Sequence, residues 1–170
     1  MSFKRIVVAS CVYVLLTGLV SAFYLFAILI QGLIVDFIGW TSVLLCGGVI
    51  LASIINNLLI LNNTSNIKNK QVLLNFWICV FQVIYITLDG FQFKYNQGLE
   101  VICYVQMENV SKLLTVGVLF ENFNFAFNFK FLDSDFSSLG VNLISLCLCL
   151  TFLYYYRNNN AANVKTSSLV

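Results

Sequence analysis

A chain of 170 residues that is 60% hydrophobic and only 9% charged lacks the polar surface that a soluble globule of its size needs. Its net charge of +2, with basic residues scattered in pairs, is too small to suggest a nucleic-acid partner and offers no cluster suited to phosphate. Histidine is absent, so bis-His haem ligation is excluded, and zinc would need thiolates or loop carboxylates.

Residues 1–5 carry Lys4 and Arg5 and precede the first apolar run, residues 6–35, in which only Gln31 is strongly polar. That run exceeds the roughly twenty residues a helix needs to cross about 30 Å of hydrocarbon. A secretory signal peptide cleaved near Val20-Ser21-Ala22 is the rival reading. The apolar stretch continues well past Ala22, which favours a retained helix. A short turn around Asp36, Gly39 and Trp40 leads to a second run, residues 41–61, with Trp40 placed as an interfacial anchor. The third run is residues 72–88 and the fourth residues 139–156, ending in Tyr154-Tyr155-Tyr156-Arg157. The Asn-rich tail, residues 157–170, reads as disordered.

These runs predict a membrane all-α four-helix transmembrane bundle with a β-rich extracytoplasmic loop, residues 89–138, between helices 3 and 4. Charge gives the orientation. Lys4 and Arg5, Lys68 and Lys70, and Arg157 and Lys165 lie in stretches without an acid, and all seven carboxylates lie in the other two connections. Because cytoplasmic loops retain Lys and Arg, both termini are expected in the cytoplasm of a multi-pass protein of the secretory pathway or cell surface.

Each run carries small or polar residues at helical spacing. Thr17, Gly18, Ser21 and Ala22 mark the first, Gly48, Ala52 and Asn56 the second, Asn75 and Gln82 the third, and Asn142 and Ser145 the fourth. Helices in lipid associate through close backbone approach at small residues and through hydrogen bonds between buried amides and hydroxyls, so these are expected to face inward as helix-packing residues. No Asp, Glu, Lys or Arg falls inside any of the four runs, which argues against proton relays and coupled pumps. No cofactor and no metal site are expected.

In residues 89–138, Phe91, Phe93 and Tyr95 alternate with polar residues. Beyond Asn96-Gln97-Gly98 the alternation resumes at Leu99, Val101, Cys103, Val105 and Met107. The pair reads as a hairpin with Gly98 at positive φ in its turn. Residues 110–120 read as a third strand or a short helix. Phe123, Phe125, Phe127, Phe129 and Phe131 occupy every second position of a further strand. Each of these rings offers about 150–250 Å² to be covered, and so small an insert, with Cys103 as its one cysteine, has little core of its own. The five rings are therefore a candidate partner surface. Asn109-Val110-Ser111 is a glycosylation sequon on the outer side, so Asn109 is the candidate glycosylation site.

The expected activity is non-enzymatic: an organiser, assembly factor or accessory subunit acting through contacts with another membrane protein or with itself, in a lipid bilayer. A small uncoupled channel or facilitator lined by buried Asn and Gln is the alternative. A subunit of a membrane-embedded lipid-modifying enzyme is a second, with Glu100 and Glu108 on one strand face.

Overall fold

The computed structural model describes residues 3–32, 37–88, 91–108, 113–121 and 136–167. Four helices are present among them: α1 (Phe3–Ile30), α2 (Phe37–Asn62), α3 (Asn69–Val83) and α4 (Leu143–Ser167). Five strands, β1 (Ile84–Leu88), β2 (Phe91–Phe93), β3 (Glu100–Glu108), β4 (Leu114–Glu121) and β5 (Phe136–Asn142), form one antiparallel sheet in the order β2-β1-β5-β3-β4.

Two helices are long and apolar enough to cross a membrane, α1 and the part of α2 from Trp40 to Asn62. The other two differ from the expected spans. The third run is helical only to Val83, where the chain turns extended at Ile84 (φ −101°, ψ 129°). Ile84-Tyr85-Ile86-Thr87-Leu88 is a β-branched and aromatic run, and it pairs with β2 on one side and β5 on the other. Hydropathy reads such a strand as the end of a helix. The fourth run likewise begins as strand, residues 139–142 belonging to β5. The tail expected to be disordered continues α4 through Ser167. Extending an existing helix fixes one residue per hydrogen bond gained and avoids a new nucleus, and Ala161 and Ala162 are strong helix formers.

The molecule has two tiers beside one long helical pair. In the lower tier, α3 and α4 pack on the N-terminal half of α1 and the C-terminal half of α2. Val7, Cys11 and Val14 of α1, Ile60 of α2, Val72 and Cys79 of α3 and Cys149 and Phe152 of α4 form its core. Phe3 meets the rings of Tyr154 and Tyr155, and Asn69 hydrogen-bonds Asn160, so the start of α1, the start of α3 and the later turns of α4 lie at one end. Lys4 at that end donates to the Ser65 carbonyl in the α2–α3 turn. In the upper tier, the sheet stands where α3 and α4 would otherwise continue. Phe93 and Tyr95 pack there against Ala22 and Leu25 of α1 and Cys46, Val49 and Ile50 of α2.

The predicted hairpin of residues 91–107 does not form. β2 pairs with β1, and two strands, β1 and β5, separate it from β3. The intervening residues Lys94 to Gly98 are buried, and Gly98 does not adopt positive φ. Its role is space: a Cβ there would stand 2.6 Å from Thr17 Cγ2 and 2.8 Å from the Tyr13 hydroxyl. Gly32, with φ 64°, is where positive φ is used, closing the C-terminus of α1. The ambiguous stretch of residues 110–120 resolves as β4 from Leu114 onward.

Candidate functional site

The sheet register sorts side chains onto two faces, because directly paired residues of an antiparallel ladder share a face. One face carries Ile84, Ile86 and Leu88 of β1, Phe93 of β2, Leu139 and Val141 of β5, Val101, Cys103, Val105 and Met107 of β3, and Leu114, Val116, Val118 and Phe120 of β4. Ser137 at one margin is its polar exception. The opposite face carries Tyr85 and Thr87, Ser138, Gly140 and Asn142, Glu100, Tyr104, Gln106 and Glu108, and Thr115 and Gly117, with Ile102, Leu119 and Phe136 as apolar members.

The burial of these faces is reversed from that of a sheet in water. Ser138 is 5% exposed and Thr87 is also 5%, whereas Leu139 is 58% and Val116 72% exposed. A soluble antiparallel sheet buries its apolar face and wets the other. Here the polar face is the inner one at Tyr85, Thr87, Ser138, Asn142, Glu100 and Ile102, whereas Glu108, Thr115, Leu119 and Phe136, toward the β4 side, are exposed.

An ion pair organises that inner layer. Lys94 Nζ lies 3.5 Å from Glu100 Oε2, with the carboxylate side chain 1% exposed, and the ammonium also sits 5.7 Å from the centroid of the Tyr85 ring. The Thr87 hydroxyl donates to the Tyr85 hydroxyl at 3.0 Å. Glycines open room for the rings: a Cβ on Gly117 would stand 2.6 Å from the Tyr104 hydroxyl, and one on Gly140 would meet Ile102 at 2.7 Å and Tyr85 at 3.2 Å. Ser138 Oγ and Asn142 Nδ2 are buried without a hydrogen-bond partner.

The buried segment before β3 joins this layer to the helices. The Gln97 amide donates to Gln82 Oε1 at 3.2 Å, the Leu99 amide donates to the Tyr13 hydroxyl at 3.1 Å, and the Gln97 side-chain amide donates to the Tyr95 hydroxyl. Burial pushes the Tyr95 phenol above its ordinary range, so it stays neutral.

No protein-family model matches this chain, and no similar curated protein or solved structure was found. The assignment of a site therefore rests on geometry.

The outer strand β4 completes the picture. It is an eight-residue edge strand with no strand on its outer side among the described residues. Leu114, Val116, Val118, Leu119 and Phe120 are all exposed. It has no Pro or Lys, the usual devices that keep an edge from recruiting another strand.

Of the sequence-predicted packing residues, Asn56 and Asn75 meet directly, Asn56 Nδ2 donating to Asn75 Oδ1 at 2.8 Å and to the Gln71 carbonyl at 2.9 Å. Asn75 also exchanges hydrogen bonds with Asn57 and donates to Cys11 Sγ at 3.6 Å. Asn57, which sequence reasoning missed, is thus part of the same cluster. Its signal was the Asn56-Asn57 doublet, one member of which was off the assumed stripe. Gly18 faces α2, where a Cβ would meet Ile54 at 3.2 Å; Thr17 and Ser21 are buried beside it, and Ala22 borders the Tyr95 cluster. Ser145 is buried and Ala52 half-buried.

Gly48 is a correction: it is exposed and nothing lies within 4 Å of a Cβ built on it. The buried seam of α2 runs instead through Cys46, Ile50, Ser53, Asn57 and Ile60, alternating steps of four and three, which holds to one face better than a strict step of four. Asn142 is a second correction. It ends β5 and caps α4, accepting from the Ile144 amide at 3.1 Å and the Ser145 amide at 3.4 Å. Gln82 serves the buried segment through Gln97, so it ties a helix to a loop. Glu100 and Glu108 share the polar face, but Glu100 is held by Lys94 and Glu108 is exposed. Among the described residues, no three Cys, Asp or Glu side chains converge to hold a metal. Phe123, Phe125, Phe127, Phe129, Phe131 and Asn109 lie outside the described residues.

Proposed function

We propose that this is a non-enzymatic, multi-pass membrane protein that works by binding another polypeptide through the open edge of its sheet. The supporting observation is β4: eight mainly apolar, exposed residues, with no strand on the outer side among the described residues and no charge before the terminal Glu121. Strand addition to such an edge supplies main-chain hydrogen bonds, and alternate side chains select the partner. Membrane placement makes the partner a requirement. Unpaired backbone groups are not tolerated against hydrocarbon, so an edge near lipid has to be completed by another strand.

In this reading α1 and α2 cross the bilayer. The helices α3, about 22 Å long, and the apolar part of α4, residues 143–156, about 21 Å long, rise from the cytoplasmic side and stop short of about 30 Å. The sheet completes the far half. Lys4, Arg5, Lys68, Lys70 and Arg157 lie at the end shared by the start of α1, the α2–α3 turn and the later part of α4. That supports cytoplasmic termini in a protein of the secretory pathway or cell surface.

The test replaces Thr115 and Leu119, which lie on the polar face of β4, by Lys, adding an edge charge while sparing the apolar face. A photo-crosslinker at Thr115 in the unmutated strand is expected to trap one defined polypeptide in native membranes. Thr115→Lys with Leu119→Lys is expected to abolish co-purification of that polypeptide at unchanged expression. Unchanged co-purification, or no specific adduct, would reject the edge as the recognition element.

A further inference from the structure

Resting on the membrane placement above but independent of any partner at β4, we infer that the apolar face of the sheet is a lipid-contacting surface, laid against the acyl chains of the leaflet farther from the basic end. Three observations meet here. The first is composition: the face holds no charged side chain across its described strands, and its polar exception, Ser137, is marginal. Of its members, Phe93, at the β2 edge, packs on α1 and α2, while those of β3, β4 and β5 supply the lipid surface. The ionic groups Lys94 and Glu100 turn inward, away from it.

The second is depth. Phe93 and the adjoining Tyr95 pack at the level of Ala22 and Leu25 in α1 and of Cys46 to Ile50 in α2, so the sheet stands beside the distal halves of the two helices long and apolar enough to span. The exposed Phe23, Phe26 and Leu44 of those helices occupy the same tier. When α1, about 42 Å long, crosses, the sheet shares its hydrocarbon zone or the boundary just above it.

The third is continuity. An open, mainly apolar groove of about 670 Å³ runs between α1 and α4, lined by Ile6, Tyr13, Cys147 and Leu148 among others, and Val101 of the sheet's apolar face also lines it. The helix groove and the apolar face of the sheet therefore meet at Val101, so a lipid chain in the groove would reach the strands there. The inverted burial at the centre of the sheet fits the same placement: with hydrocarbon outside, Lys94, Glu100, Tyr85 and Thr87 are more stable inside, where they meet one another. A second copy or a partner protein covering this face is the competing occupant, and it would not require the face to merge with the helix groove.

The chain carries its own reporters. Among the six cysteines, Cys103 on the apolar face and Cys147 in the groove are exposed and the others are buried. Two versions of the full-length protein, Cys147→Ser and Cys103→Ser, each leave one exposed thiol. Each is labelled with an environment-sensitive fluorophore and reconstituted in phosphatidylcholine vesicles carrying doxyl groups at acyl position 5 or 12. At Cys103, strong quenching by the 5-doxyl lipid is expected, with at least a twofold smaller effect of aqueous iodide; the Cys147 probe, nearer mid-depth, is expected to respond more to the 12-doxyl lipid.

Quenching of Cys103 by iodide but not by lipid, with Cys147 still lipid-quenched, would overturn the lipid face while leaving the membrane placement standing. Shielding of Cys103 from both quenchers would overturn it in favour of a protein cover. If Cys147 also escapes the lipid quenchers, the membrane placement itself fails.

Discussion

The lower and upper tiers solve one problem with two kinds of backbone. Both bury polar side chains while leaving many apolar ones exposed: the helical tier buries Asn56, Asn57 and Asn75 beside an apolar core, and the sheet layer buries Lys94, Glu100, Thr87 and Ser138. A helix satisfies its own peptide groups, so the lower tier is complete once its side chains are bonded. A sheet is complete only when both edges are covered, and among the described residues no strand covers the outer side of β4. On the proposed reading, the demand for a partner comes from the backbone of the upper tier and not from its polar residues.

The tiers also differ in what holds their centres, neutral amides below and an ion pair above, and substitutions separate them. The largest effect is expected from Glu100→Gln, which leaves the Lys94 ammonium buried without its carboxylate. The cost is about 3 kcal/mol of stability in detergent, read as a fall in the unfolding midpoint, and adding Lys94→Met should recover much of it. A midpoint unchanged by Glu100→Gln would mean that the pair is solvated. Asn75→Ala strikes the lower tier and removes the residue that both Asn56 and Asn57 bond, for about 2 kcal/mol by the same measurement.

Gly98→Ala acts at the junction of the tiers, where the added methyl meets Thr17 and Tyr13. A loss of about 1.5 kcal/mol is expected, and Thr17→Ala in the same chain should restore part of it, a coupling that a purely local backbone effect would not show. The smallest effect, about 1 kcal/mol, belongs to Asn142→Ala, which uncaps α4; Asn142→Asp or Ser should be nearly neutral, because either keeps an oxygen for the helix amides.

Much of the helical tier was legible because apolar length and helical spacing are properties of a single segment. The position of all four helices and the inward turn of Asn56 and Asn75 follow from them. Helix ends were not legible where apolar strand continued apolar helix, as at Val83–Ile84 and at Leu139–Asn142, since hydropathy is blind to backbone form. The alternation Val101, Cys103, Val105, Met107 marked β3 as a strand, but alternation does not say which face is inside. Pairing was the least legible part. Gly98 looked like a hairpin turn, and its demand came from Thr17 and Tyr13, more than eighty residues earlier in the chain.

One further consequence comes from the place of β5. It sits at the middle of the sheet, hydrogen-bonded to β1 on one side and β3 on the other, yet it is the last strand to be synthesised. The α1–α2 pair is available to the insertion machinery early, whereas the β1–β2 and β3–β4 ribbons have nothing to join them until residues 136–142 leave the ribosome. The upper tier therefore closes only after both of its ribbons have been made. A chain truncated before Phe136 is left with its helices inserted and two unjoined ribbons, a natural substrate for quality control.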